Sequence, residues 1–172
     1  MVLPIWLWLV TIIIILVTAG VMRLRKTLVT DPQSRRAVAS GQAITDAKLE
    51  NHCRSAVMQH ELTAPGQTRF VAFFAPLQFT ERNGNVRVRT PISLALSERT
   101  LAVSYKQGAL GNVATALINR TDIKAGYASG EPSGFPYTIE TSHPRSFVIL
   151  LQSEADRNQL ASWVGVNLTD RR

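Results

Sequence analysis

A strict alternation of side chains over residues 86–97 constrains this chain more than any other feature. The first set is largely apolar and comprises Val86, Val88, Thr90, Ile92, Leu94 and Leu96. The residues between them are Arg87, Arg89, Pro91, Ser93, Ala95 and Ser97. Because successive side chains of a strand point to opposite faces, this period of two predicts a β-strand with one face in a core and the arginines in water.

Six other segments have the composition of strands, and with residues 86–96 they make seven. They cover residues 70–80, 101–105, 113–119, 122–128, 137–141 and 147–151. Asn83-Gly84 predicts a tight hairpin between the first two strands. Pro76 requires an edge or a bulge in the first strand, because proline has no N–H for the ladder.

Beyond residue 151 the period changes to that of a helix. Ser153 and Asp156 resemble the start of a capping box, and Gly165 supplies a stop. Leu160 and Trp163 lie on one apolar stripe between these signals. The pattern predicts one amphipathic C-terminal helix, with Leu160 and Trp163 as structural core residues.

The order of these elements resembles the pleckstrin-homology-like (PH-like) fold, as found also in bacterial PH-like domains. The resemblance covers about residues 68–168 and rests on the stretches TPISLALSERTLAVSYK, ALINRTDIKAG and SFVILLQSEADRNQLASWV. It implies a mainly β domain with a C-terminal helix over residues 67–172. In that domain a seven-stranded bent sheet or partial barrel is capped at one open end by the helix.

In lipid-binding members of that superfamily, basic residues of the first hairpin hold phosphate groups. Arg82, followed by Arg87 and Arg89, is similar to that spacing. The period of two points Arg87 and Arg89 the same way, and paired guanidinium groups suit phosphate oxygens. The resemblance thus implies a ligand-binding site at Arg82, Arg87 and Arg89. The alternative is that these side chains form an ordinary solvated face of the strand.

Residues 27–66 are predicted to be a helical connector. A start signal at Asp31 predicts a short helix over residues 34–40, and a clearer helical pattern extends from Asp46 to about residue 62. Its apolar face contains Leu49, Cys53, Ala56, Val57 and His60. Three surfaces are open to this face: the following domain, a second chain and the membrane.

Residues 1–26 are predicted to be a transmembrane anchor with a basic stop. Residues 3–22 contain no charged side chain, and an apolar helix of about 20 residues spans the hydrocarbon layer of roughly 30 Å. Trp6 and Trp8 lie where a membrane interface favours aromatic rings. The alternative is a cleaved signal peptide that ends near Ala19.

The distribution of positive charge predicts how this anchor is oriented. No positive side chain precedes the apolar segment, and three follow it at once: Arg23, Arg25 and Lys26. The positive-inside rule therefore predicts a single-pass protein of the cell (inner or plasma) membrane, with its N-terminus outside and its C-terminal domain in the cytoplasm.

Composition excludes several classes of function. One cysteine cannot form an intrachain disulfide, and with three scattered histidines it cannot build a usual four-ligand zinc site. The net charge is +7, but the basic residues are dispersed among acidic ones and no nucleic-acid-binding motif accompanies them. No nucleic-acid partner is therefore expected. No nucleophile elbow, P-loop, dinucleotide-binding glycine pattern or metalloprotease helix is present. The chain is therefore expected to be no enzyme and to need no metal or cofactor.

Two functions remain as hypotheses. The first is a membrane-tethered PH-like binding or scaffold module that acts at the cytoplasmic face. It would contact the lipid bilayer through its anchor and, through its domain, another membrane protein or a second copy of itself. The alternative is a reader of anionic lipids or phosphorylated ligands that uses Arg82, Arg87 and Arg89. Tethering favours either function, because a high local concentration makes weak contacts sufficient.

Overall fold

The computed structural model describes residues 43–84, 86–108, 111–129, 134–143 and 145–165. The predicted anchor over residues 1–26 lies outside the described residues, as does the short helix predicted over residues 34–40. No helix in the described part of the chain is long and apolar enough to cross a membrane.

In the described residues, two helices flank a run of nine strands in chain order. Helix α1 is Ala47–His60, and helix α2 is Glu154–Val164. One turn of 3-10 helix, Arg120–Asp122, separates β6 from β7. The strands are β1 Phe70–Phe74, β2 Gln78–Glu81, β3 Val86–Arg89, β4 Ile92–Ser97, β5 Thr100–Gln107, β6 Asn112–Asn119, β7 Ile123–Ala128, β8 Phe135–Thr141 and β9 Ser146–Leu151.

The strands form two antiparallel sheets. The four-stranded sheet has the order β1-β4-β5-β6, and the five-stranded sheet has the order β3-β2-β9-β8-β7. The chain thus enters the four-stranded sheet through β1, passes to the five-stranded sheet through β2 and β3, and returns through β4. This mainly β domain with two antiparallel sheets and a C-terminal helix is compatible with a PH-like fold.

The structure has nine strands where seven were predicted, because two predicted strands are divided at a proline. Pro76 separates β1 from β2, and Pro91 separates β3 from β4. Each proline lacks the N–H that a continuous ladder needs, so the strand bends there and continues in the other sheet. The two bends lie together, since the Thr90 N–H donates to the Leu77 carbonyl at 3.1 Å.

The alternation over residues 86–97 is confirmed for its apolar set but only in part for the other. Val86 and Val88 pack against the core, which also buries Ile92, Leu94 and Leu96. Arg87 and Arg89 are exposed, as predicted for the opposite face. Beyond the bend, however, all six residues of β4 are buried. The opposite face of β4 is therefore covered, and helix α1 is what covers it.

Helix α1 packs on the outer face of the four-stranded sheet. Asp46 begins the helix by accepting hydrogen bonds from the N–H groups of Lys48 and Leu49. The buried side chains Cys53 and Val57 lie against Ala95, Ala102, Phe70 and Phe73. The apolar face of α1 therefore packs on the domain that follows it, one of the three surfaces considered from the sequence. His60 is exposed, and its Nε2 lies 2.6 Å from Asn119 Oδ1.

A bulge in β7 changes which residues share a face. The period of two predicts one face for Ile123, Ala125 and Tyr127, but the pairing with β8 shifts between Ile123 and Ala125. Ile123 therefore packs against the core, whereas the Tyr127 hydroxyl donates to Glu140 Oε1 at 2.8 Å on the other side of the sheet. The extra residue reverses the faces that follow it.

Helix α2 closes one end of the core between the sheets. Ser153 accepts a hydrogen bond from the Asp156 N–H at 3.1 Å, and the helix ends at Gly165 with a positive φ of 72°, both as the sequence predicts. Leu160 and Trp163 are buried in the core cluster. The Trp163 Nε1–H donates to the Ser97 carbonyl at 2.6 Å, so this helix is attached to the end of β4.

Candidate functional site

The first candidate site is the basic hairpin of β2 and β3. Arg82 is exposed in the turn between the strands, and Arg87 and Arg89 are exposed on β3. On β2, Thr80 is the cross-strand partner of Arg87, and Gln78 is that of Arg89. Since β3 is an edge strand of the five-stranded sheet, the structure places Arg87 and Arg89 on one outward flank, as the spacing predicts.

The surroundings of these arginines offer them little direct support. Arg87 Nη2 lies 3.5 Å from Gln78 Oε1, the outer limit of a hydrogen bond. Arg87 and Arg89 lie on a strand, and neither of them lines the groove that is described below as the second candidate site. A phosphate held there would meet two long side chains on an open surface.

An ion pair between the buried Glu81 and the half-exposed Arg145 was not predicted from the sequence. Glu81 is only 6% exposed and points inward with Phe79, and its Oε1 accepts hydrogen bonds from Arg145 at 2.6 Å and 2.5 Å. The two interactions come from the Nε and Nη2 atoms of the guanidinium group, so this pair is charge-assisted and strong. The sequence did contain a signal for the burial of Glu81, because Glu81 follows Phe79 by two residues in the strand and therefore shares its inward face.

This pair shapes the open end of the core. A Cβ atom on Gly84 would lie 2.8 Å from the Glu81 carboxyl carbon, so any other residue there would require the carboxylate to shift. Burial raises the pKa of the Tyr105 hydroxyl, and the negative charge of Glu81 raises it further, whereas Arg145 lowers it. The Arg145 guanidinium is paired with the buried Glu81 carboxylate.

The second candidate site is an open groove between β1 and α2, which we call the α2–β1 groove. It has a volume of about 620 Å³ and is lined by Val71, Glu98, Arg120, Gln159, Ser162 and Trp163. Val71 is 48% exposed, which is high for a valine in a strand. The sequence alone did not indicate this groove, because its residues come from four separate segments.

Local structure explains why these side chains meet. The register of β1 against β4 shifts between Phe70 and Ala72, and this bulge turns Val71 outward. Glu98 lies in the β4–β5 turn, and Arg120 begins the 3-10 turn, where its N–H donates to the Arg99 carbonyl at 2.8 Å. The Arg120 guanidinium carbon stands 5.8 Å from the centre of the Trp163 ring, within range of a cation–π interaction.

Cys53 does not form a reactive site. The thiol is fully buried between α1 and the sheet, where Sγ lies 3.1 Å from the Ser93 carbonyl, to which its S–H donates. Burial raises the pKa of this thiol and so opposes the thiolate that a nucleophile or a metal ligand requires. In the described ranges no group of three or more His, Cys, Asp or Glu side chains is arranged to hold a metal ion.

The remaining residues singled out from the sequence lie elsewhere. Leu160 and Trp163 occupy the core, and Trp163 also lines the α2–β1 groove. The residues predicted at the membrane interface lie outside the described residues: Trp6, Trp8, Arg23, Arg25 and Lys26.

Comparison with known proteins gives no family assignment: no family model matches this chain, and no curated protein is significantly similar to it.

Proposed function

We propose that this protein is a membrane-tethered PH-like binding module, without catalysis, that docks another protein at the cytoplasmic face. The tether is the apolar segment of residues 3–22, and the basic residues after it orient the domain. A reporter active only in the cytoplasm and fused after Arg172 tests this orientation. Activity of the fusion is expected, and its absence would contradict the orientation.

The observation that carries the proposal is the α2–β1 groove. It combines a half-exposed valine, a largely buried tryptophan and two opposite charges in one open depression. Apolar surface with a few placed polar groups is typical of sites that bind another molecule. An open groove of this kind suits a segment of protein better than an enclosed small molecule.

The basic hairpin supports a phosphate reader less well. Arg145 is held by Glu81, and Arg87 and Arg89 stand on an edge strand, where charged side chains also serve to prevent unwanted strand pairing. The alternative function, a reader of anionic lipids or phosphorylated ligands, is favoured by one observation. Arg87 and Arg89 are both exposed and point to the same side.

The proposal is tested by photo-cross-linking in the cells that make this protein. A benzophenone amino acid replaces Val71 in the full chain and, as a matched control, Leu117, a second exposed apolar strand residue. We expect a discrete protein adduct from position 71 that is absent from position 117. The same adducts at both positions, or no protein adduct at position 71, would contradict docking at the groove.

A further inference from the structure

The strand that borders the α2–β1 groove has a free edge. In the part of the chain that the structure describes, β1 pairs with β4 on one side and with no strand on the other. The two edge strands of the five-stranded sheet carry charged side chains, Arg87 and Arg89 on β3 and Lys124 on β7, whereas β1 reads FVAFF. The fourth edge strand, β6, is also uncharged, but it reads NVATALIN, with an asparagine at each end. An uncharged apolar edge is a template for a further strand.

Helix α2 forms the opposite wall of the groove, and one hydrogen bond at or just before each end of the helix connects it with the β1 region. At one end, the Gln152 side chain donates to the Ala75 carbonyl at 3.3 Å, just after β1. At the other end, Trp163 donates to the carbonyl of Ser97, the register partner of Phe70 at the start of β1. Val71, near the start of β1, is the β1 residue that lines the groove, so an extended segment seated there would continue along the free edge of the strand.

The charges around the groove favour an acidic occupant. Arg120 lines it directly, and the Arg69 guanidinium, 85% exposed, lies 3.9 Å from the Glu98 carboxylate. Two guanidinium groups and one carboxylate thus lie in or beside the groove, and the exposed Arg69–Glu98 pair is weak. The chain as a whole carries a net charge of +7, so a second copy of it would be repelled.

We infer that the α2–β1 groove binds an extended, acidic segment of a partner protein, which adds to β1 as a further strand. Its main-chain groups pair with the free edge over Ala72–Phe74, where β1 is in regular register. An apolar side chain of the segment contacts Val71 and Trp163, and a carboxylate lies at Arg120. This inference rests on the proposed function, because it names the chemistry of the partner at the same groove.

The test uses the full-length chain in detergent and two short fluorescent peptides of equal length. One peptide alternates valine with glutamate, and the other alternates valine with lysine. We expect the glutamate peptide to bind about tenfold more tightly at low salt, as measured by anisotropy. Equal affinity for the two peptides would overturn the choice of an acidic segment.

Charge reversal at Arg120 tests the position of the carboxylate. Arg120→Glu is expected to weaken the glutamate peptide about tenfold and to strengthen the lysine peptide, a gain that misfolding cannot produce. Lys124→Glu makes the same change of charge on β7 and serves as the matched control, with both affinities unchanged. Loss of affinity for both peptides in Arg120→Glu, or equal effects of the two substitutions, would overturn the inference.

Methylation of the peptide backbone tests strand addition. In an extended peptide, alternate N–H groups point to the same edge. Of two glutamate peptides, one methylated at the valine nitrogens and one at the glutamate nitrogens, one should lose affinity and the other should keep it. Equal affinities would show that no strand is added.

These results separate the inference from the function on which it rests. A discrete adduct at position 71, together with equal binding of both peptides, contradicts the acidic strand and leaves the docking function standing. Absence of the adduct contradicts the docking function itself.

Discussion

The two halves of the alternating stretch, β3 and β4, have the same sequence period but different surroundings. In β3 the side chains alternate between half-buried and exposed, whereas in β4 all six are buried. The difference lies in the size of the residues opposite the core. Arg87 and Arg89 are long and charged and remain in water, whereas Ser93, Ala95 and Ser97 are small enough for α1 to lie on the strand. A polar face of small residues therefore indicates a covering element, and a face of long charged residues indicates solvent.

At β4 the domain consequently has three layers: α1 on the outside, the four-stranded sheet in the middle and the shared core on the inside. The outer layer is fastened at both ends. At the start of α1, Lys106 Nζ lies 2.8 Å from the Asp46 carboxylate, and this hydrogen bond, opposed by partial burial, holds the Asp46 pKa below its usual value. At the other end, Ser97 donates to the Glu61 carboxylate. Within the described residues, the five-stranded sheet has no such helix on the flank that carries Arg87 and Arg89.

The largest effect is expected where α2 joins the two sheets. Trp163→Ala should lower the free energy of unfolding by about 3 to 5 kcal/mol, because it removes a buried aromatic ring and leaves a cavity. Asp156→Ala, in the first turn of the same helix, should cost about 1 kcal/mol or less. Chemical denaturation measures both. Equal, small losses would mean that α2 does not close the core.

The next effect sharpens the contrast between the two faces of the four-stranded sheet. Ala102→Leu places a larger side chain on the fully buried outer face beneath α1, and overpacking of this kind should cost about 1 to 3 kcal/mol. The matched control is Ala155→Leu on the exposed side of α2, which should change stability by about 0.5 kcal/mol or less. If Ala102→Leu is as mild as the control, α1 does not pack tightly on the sheet.

The smallest effect on stability is expected at β3. Replacing Arg87 and Arg89 together with Gln should change the free energy of unfolding by about 0.5 kcal/mol or less, because both side chains are exposed. The full-length chain should bind added anionic vesicles only weakly, with strong dependence on salt and without preference for one head group. Vesicle flotation over a range of salt concentrations measures this.

The same double substitution distinguishes the two functions. Saturable binding to one head group at moderate salt, abolished by the two Gln substitutions, would favour the phosphate reader over the protein-docking function. A general decrease that high salt removes is the expected effect of net charge alone.

Much of the fold could be predicted because local signals and the period of side chains agree. The hairpin at Asn83-Gly84, the cap at Ser153, the stop at Gly165 and the burial of Trp163 all follow from neighbouring residues. The division of two predicted strands into four could not be predicted from the sequence. Pro76 indicated an irregularity, but the passage of both bent strands from one sheet to the other depends on the pairing of β2 with β9 and of β1 with β4, which are separated in sequence.

The candidate sites divide in the same way. The outward direction of Arg87 and Arg89 follows from a period of two, so the basic hairpin could be found in the sequence. The α2–β1 groove could not, because Val71 points outward only as a result of a bulge in the β1–β4 pairing. Glu81 illustrates an intermediate case: its inward direction was readable from Phe79, but its partner Arg145 is 64 residues away.

The position of Cys53 has a practical consequence for following motion in this protein. It is the only thiol of the chain, and it is fully buried beneath α1, so a thiol reagent reaches it when the helix leaves the sheet or the domain unfolds. Under conditions in which closing is faster than modification, the ratio of its labelling rate to that of an unstructured cysteine gives the equilibrium constant for opening. The chain therefore carries its own reporter of how often the outer layer separates, and it needs no engineered label.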